Sequence, residues 1–194
     1  MDPPRAKAVR EAFFRLFKDG LIYRGKRLVN WDPATQTALA DDEVEMEEVD
    51  GQFYYLRYPL VREGEAPSEP SYVTVATTRP ETMLGDTAVA INPRDPRAAT
   101  LRGRRVRLPI VDRVIPIIED DYVVLPDPQS EDAKAKYATG FLKVTPAHDP
   151  NDYEIGRRHN LPLINVMAPD GTISDKHGWS DVGGADFLLG LDRY

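Results

Sequence analysis

Residues 72–91 read YVTVATTRPETMLGDTAVAI, and the fold reading turns on this stretch. Tyr72 to Thr78 alternates apolar and hydroxyl side chains in the manner of a half-buried strand. Pro80 then breaks the strand. Thr78 and Glu81 stand at capping-box spacing, Pro80 suits a first helical turn, and Gly85 is a plausible stop. Thr87 to Ile91 resumes as a second strand. The spacing therefore predicts a strand, a capped helical turn and another strand within twenty residues.

The same pattern spreads outward. Upstream, the aromatic Gln52 to Leu60 reads as a strand, separated by the polar loop GEAPSEPS at 64–71. Downstream, further strands are expected at Arg105 to Leu108, Arg113 to Ile118, Tyr122 to Leu125, Gly140 to Thr145 and Leu163 to Val166, punctuated by Pro, Gly and Asp. Helical pattern returns only at Asp127 to Tyr137 and Asp152 to His159. With 17 Pro and 13 Gly in 194 residues, a helical bundle is disfavoured. There is no internal repeat. A mixed, mainly β fold, closed or folded over on itself with short flanking helices, fits best.

The first 45 residues read differently. Asp2 caps a helix with Pro3 at its first position, and Val9, Phe13, Leu16 and Phe17 draw one apolar face until Gly20 stops it. Short strands are expected at Leu21 to Arg24 and Arg27 to Trp31, before Asp32-Pro33 turns the chain. We take 1–45 as a lead-in segment and 46–194 as the main domain.

Composition removes several chemistries. Without cysteine there is no disulfide, thiolate metal site or Cys nucleophile. The start MDPPR lacks the apolar core of a signal peptide, and apolar stretches such as Val114 to Ile118 are too short to span a bilayer, so a cytoplasmic chain without a membrane partner is expected. The net charge of −7 is uneven. Asp41 to Asp50 carries seven acids and no base, whereas Arg94 to Arg113 carries seven arginines against two acids. The latter can be a salt-bridged surface or a phosphate-facing one.

A second junction, KVTPAHDPNDY at 143–153, concentrates polar chemistry. Asp149 sits at an N-cap, Pro150 at the first helical position and Asp152 at the third. Two readings stay open here. Both carboxylates can be helix punctuation, or the helix dipole and free N–H groups can hold them ionised to bind an ammonium group. A metal site built from His148, Asp149, Asp152 and His159 is weakly supported, because the chain has only three histidines. No G-x-S-x-G, G-x-G-x-x-G or phosphate-loop motif occurs. Trp31 and Trp179 read as packing residues.

Taken together, TTRPET at 77–82 and HDPND at 148–152 resemble the threonine-rich and aspartate motifs of the editing insertion in the class I aminoacyl-tRNA synthetases for valine, isoleucine and leucine. GLIYRGKRLVNWDPATQTALADDEVE at 20–45, GDTAVAINPRDPR at 85–97, YEIGRRHNLPLINV at 153–166 and LGLDRY at the end extend the likeness. The valyl branch fits best. Leucyl forms usually carry Asp at the position of Glu81 and lack the Lys143-x-Thr145 pair, and isoleucyl forms replace Arg-Pro-Glu with a Trp-containing sequence. The synthetic HIGH and KMSKS signatures are absent. The resemblance thus implies a piece of a larger enzyme, a closed or distorted β-barrel editing domain.

The implied activity is hydrolysis of the ester joining threonine to the terminal adenosine of tRNA(Val). Isoleucyl or leucyl editing and a tRNA-binding insertion without catalysis are the alternatives. The general example of this need is the valyl enzyme itself, whose apolar pocket rejects isosteric threonine by only about a hundredfold. No cofactor is implied for editing, since ATP and Mg belong to the synthetic domain. The partners implied are the threonine-bearing acceptor end of tRNA(Val) and the rest of the parent synthetase. The resemblance assigns Asp152 to the substrate ammonium, and Asp149 to the threonine hydroxyl with Lys143 and Thr145 shaping the pocket. Thr77, Thr78 and Thr82 line the site near the terminal ribose or the attacking water, Arg79 and Glu81 organise the turn, and His148 orients the loop or helps proton transfer.

Overall fold

The computed structural model describes residues 2–25, 27–61 and 72–193. Helix α1 (Pro3–Lys18) starts as its sequence dictates, with the Asp2 carboxylate accepting the Arg5 N–H at 3.0 Å. It ends before Gly20, whose φ of +75° suits a residue without Cβ. Its apolar face buries nothing, and Val9, Phe13, Phe14, Leu16 and Phe17 are all exposed.

Strands β1 (Asn30–Asp32) and β2 (Thr37–Leu39) form a small antiparallel hairpin. The strand expected at 21–24 does not form, and the one expected at 27–31 is reduced to its last two residues plus Asp32. The turn explains the hairpin: Asp32 accepts the N–H groups of Ala34 and Thr35. This hairpin is tied to the later part of the chain, because Trp31 Nε1 and Gln36 Nε2 both donate to the Pro169 carbonyl, at 2.7 and 3.0 Å.

Strands β3 (Tyr54–Pro59) and β4 (Tyr72–Thr77) pair antiparallel, with Tyr58 opposite Val73 and Tyr54 opposite Thr77. The polar loop expected at 64–71 lies outside the described residues. Beyond it come β5 (Ala88–Ile91), α2 (Ala98–Leu101), β6 (Arg105–Arg107), β7 (Val114–Glu119), α3 (Ala133–Lys136), β8 (Phe141–Val144) and α4 (Pro150–Arg158). Four of these strands form one sheet in the order β6-β7-β5-β8, with β5 and β7 parallel and the other pairs antiparallel.

β5 is buried on both faces and organises two cores. Val89 and Ile91 enter the large one with Tyr58, Val75, Ile115 and Phe141. Ala88 and Ala90 enter a small one with Val144 and Ile155. Small residues on that face let α4 approach, as does Gly156, where a Cβ would stand 2.8 Å from Pro146 Cγ.

A bridge between Leu60 and Val106 joins β3 to β6, reinforced by Val61 N–H donating to the Arg105 carbonyl at 2.8 Å. At the other end β4 runs beside β8. The strands therefore curve around the large core, giving a mixed, mainly β fold, although the paired ladders do not close into one ring among the described residues. Residues 122–125 and 163–166 do not join a strand. Around the first of these the chain turns: Val123 N–H donates to the Asp120 carbonyl, and the Val123 carbonyl receives the Asn92 amide at 2.7 Å. The helix expected over 127–137 shortens to the four residues of α3, and α4 begins at Pro150, two residues before Asp152.

Candidate functional site

The first junction folds as strand, turn and strand, but its capping differs from expectation. The turn over Pro80–Gly85 is a 3-10 helix with Arg79 as its N-cap and no side-chain cap. Thr78 is exposed and caps nothing. Thr77 Oγ1 instead accepts the Arg79 N–H at 3.1 Å, and the turn begins one residue later than a Thr78 cap would place it. Thr82 is buried, and its hydroxyl returns to the Arg79 carbonyl at 2.8 Å. Arg79 pairs with Glu81 at 3.5 Å and donates from Nη1 to the His148 carbonyl at 2.8 Å, so one side chain joins the two junctions.

The second junction follows the sequence closely. Asp149 caps α4, one carboxylate oxygen accepting the N–H groups of Asn151 (2.8 Å) and Asp152 (3.0 Å). Asp152, at the third helical position, is 6% exposed, and its Oδ2 accepts the Thr145 N–H at 2.8 Å. Asp149 therefore punctuates the helix while Asp152 braces the corner before it, yet neither spends its second oxygen on a hydrogen bond to a described residue.

Between the junctions lies a buried polar network centred on Lys143. Its ammonium donates to Thr82 Oγ1 and Thr145 Oγ1, both at 2.6 Å, and to Asp86 Oδ1 at 3.4 Å. All three N–H donors of the lysine are used. Asp86, wholly buried, also receives the Thr145 hydroxyl at 2.5 Å on Oδ1 and the Tyr58 hydroxyl at 2.6 Å on Oδ2. Donor and acceptor directions agree around the circuit, as a low-dielectric interior demands.

Asp86 and Tyr58 escaped the sequence reading. Asp86 follows Gly85 and reads as turn punctuation, and Tyr58 reads as one aromatic among several in β3. The one available signal was an acid placed two residues before the wholly apolar run Ala88 to Ile91.

The electrostatics follow from burial. Desolvation pushes the Asp152 carboxyl up to about 7, with Asp149 and Asp86 adding to it and the Thr145 N–H and Lys143 opposing it. Burial likewise raises the Asp86 carboxyl, against the pull of Lys143, Thr145 and Tyr58. His148 is pushed down to about 4 by burial and then by Arg79, Lys143 and Arg193. Its Nε2 accepts the Val166 N–H at 3.1 Å, so the neutral ring carries its proton on Nδ1. That bond ties the segment before α4 to the chain at residue 166.

The site residues thus divide. Thr82, Lys143, Thr145 and Asp152 come together in one buried network, Thr77 is buried beside it, and Arg79, His148 and Asp149 are half-buried around it. Thr78 stands outside. His159 does not approach His148 through any hydrogen bond but lies 3.0 Å from Asp120, which also binds Arg158. Among the described residues no group of three or more His, Asp or Glu is placed to hold a metal ion. In the arginine-rich stretch, Arg97, Arg102, Arg107 and Arg113 pair with Asp95, Glu119, Asp112 and Asp181. Much of that charge is therefore spent within the molecule.

A β-rich body holding this lysine-centred buried polar network at a strand-to-helix junction has clear relatives. The family model of the class I tRNA synthetases (I, L, M and V) matches residues 1–171, and the chain belongs to that family. Within it, the similarity is to valine–tRNA ligases. The chain is 54% identical to that of Protochlamydia amoebophila over 92% of its length, and 54% and 48% identical over its whole length to those of Geobacillus kaustophilus and Clostridium perfringens. It spans 17 to 19% of the length of these relatives. Among solved structures, it matches the LeuRS chain of the Agrobacterium radiobacter K84 agnB2 LeuRS-tRNA-LeuAMS complex, with a TM-score of 0.44 and 19% identity over 80% of this chain and 27% of that one.

Proposed function

We propose that the chain is an editing domain of a valine–tRNA ligase, hydrolysing the ester of threonyl-tRNA(Val) in the cytoplasm. The observation that supports this reading most is the pairing of Asp149 and Asp152 at one helix N-terminus beside a fully hydrogen-bonded Lys143. Such a pocket is polar enough to welcome a hydroxylated side chain and its ammonium group. Valine would leave a buried polar group unpaired, a loss of about 1–3 kcal/mol.

In the proposed reaction, a water oxygen attacks the ester carbonyl, the bond to the ribose oxygen breaks, and the water proton ends on that oxygen. Free threonine and uncharged tRNA(Val) result. Asp152 holds the α-ammonium and Asp149 accepts the threonine hydroxyl, each through the oxygen left over from its backbone hydrogen bonds. Lys143 and Thr145 act differently from direct contacts: their polar groups are taken up by Asp86, Thr82 and each other, so they fix the pocket's shape. Thr77 and Thr82 line it, with Thr78 at the exposed margin where the terminal ribose would lie. Positioning the ester and water then carries the rate without a covalent nucleophile or a cofactor. The closed or distorted barrel is the architecture that goes with this reading, and the remaining partners are the acceptor end of tRNA(Val) and the rest of the parent ligase.

The test is deacylation of threonyl- and valyl-tRNA(Val) by the chain, alone and within the full-length ligase. Cleavage of the threonyl ester in preference to the valyl ester is expected. Binding of tRNA without hydrolysis in either setting would replace this reading with a catalytically silent insertion.

A further inference from the structure

Tyr58 is an unusual core residue. It is wholly buried in the large core, paired across the hairpin with Val73, and its neighbours are Val, Leu and Ile side chains that phenylalanine would suit as well. A buried phenol costs free energy unless its hydroxyl is satisfied. Here the hydroxyl has one acceptor, Asp86 Oδ2 at 2.6 Å, and Asp86 in turn receives Lys143 and Thr145 on its other oxygen.

We propose that Tyr58 is a positioning residue for threonine selectivity, its hydroxyl clamping Asp86 so that Lys143 and Thr145 stay in register with Asp152. The inference rests on the editing reading above. The chain of contacts is short. Tyr58 fixes one oxygen of Asp86, Asp86 fixes the lysine ammonium and the Thr145 hydroxyl, and the Thr145 N–H fixes Asp152. The hairpin is thereby coupled to the pocket by a residue that no substrate can reach. Without the phenol, Asp86 Oδ2 is buried with no donor, and the carboxylate turns or takes up a proton. Either event releases Lys143 and Thr145 from their present geometry.

The charged and titratable groups around Asp86 are Tyr58 from β3, Lys143 from β8 and Asp152 from α4, and Arg113 from the β7 end donates to the Asp86 backbone carbonyl at 2.9 Å. Burial already pushes the Asp86 carboxyl up, and the Tyr58 hydrogen bond is one of the forces holding it down. Loss of that bond moves the acid limb of the deacylation profile to higher pH.

The experiment carries Tyr58→Phe within the full-length ligase and measures deacylation of threonyl- and valyl-tRNA(Val) across the acid limb. Val73→Ala serves as a packing control in the same core. The expected result is a fall in the threonyl-to-valyl ratio of roughly tenfold or more, from the loss of one hydrogen bond to a charged group, together with the shifted acid limb. Val73→Ala should lower thermal stability without moving either. Should Tyr58→Phe fail to fold, a fluorinated tyrosine at position 58, a stronger donor of nearly the same shape, must move the acid limb to lower pH. An unchanged ratio and limb in a folded Tyr58→Phe, the same changes in Val73→Ala, or an unmoved limb with fluorotyrosine would overturn the proposal. Wild-type ligase that cleaves neither ester would instead sink the editing reading itself.

Discussion

Asp152 receives the backbone N–H of Thr145 at 2.8 Å across the corner where β8 gives way to α4. One carboxylate thereby holds the corner, and in the proposed function the same carboxylate binds the substrate ammonium. Asp152→Ala is expected to abolish deacylation of threonyl-tRNA(Val). Asp152→Asn keeps an acceptor for the Thr145 N–H but loses the charge, so it should fold and still lose roughly tenfold or more of its activity. Full activity in either variant would remove Asp152 from the substrate.

Acid and base affect stability through two desolvated groups, Asp152 and His148, with opposite signs. The folded-state Asp152 carboxyl is raised from 3.8 to about 7, so its burial costs nothing at low pH and progressively destabilises the fold as pH rises between those values. Asp152→Asn should therefore gain stability relative to wild type over that interval. His148 is lowered from 6.5 to about 4, so protonation destabilises the fold as pH falls through the same range. His148→Asn should blunt that loss. Denaturant unfolding at a series of pH values reads both slopes.

Lys143→Met is expected to cost about 3–5 kcal/mol, because it leaves the Asp86 carboxyl buried without its cationic partner. The triple variant Lys143→Met, Asp86→Leu, Tyr58→Phe, which also removes the phenol hydroxyl that Asp86 satisfies, should recover much of this stability while remaining inactive. Thermal unfolding compared with deacylation separates the two effects. Recovery of activity with stability would show that the network serves packing alone.

Asp149 combines a cap with a proposed contact, and substitution can part them. Asp149→Ala should lose about 0.5–2 kcal/mol of stability through the cap and erode the threonine-over-valine preference. Asparagine caps nearly as well, so Asp149→Asn should keep the stability. A preference that tracks stability across both variants would leave Asp149 as a cap only.

The sequence was most legible where local rules act alone. Asp2 with Pro3 and Asp149 with Pro150 both start helices as their spacing predicts, because an N-cap needs only its own first turn. β4 was visible from its alternation, and β5 and β8 from short strand-like runs between breakers. Thr78 misled because the competing Thr77 hydroxyl reached the Arg79 N–H first, a choice of rotamer that spacing does not encode. Residues 122–125 and 163–166 have strand-like composition but find no ladder, since pairing depends on distant segments. For the same reason Tyr58 and Asp86, 28 positions apart, meet only once the hairpin folds over the sheet.

The docking of Trp31 on the Pro169 carbonyl has an optical consequence. Trp31 is 43% exposed and its indole is hydrogen-bonded to Pro169, far along the chain, whereas Trp179 is 1% exposed in the large core. These are the chain's only two tryptophans. The molecule thus carries two emitters of different colour, a red-shifted one that registers whether the hairpin is seated and a blue-shifted one that registers whether the core is intact. Detachment and unfolding can be followed separately in one cuvette without any added dye.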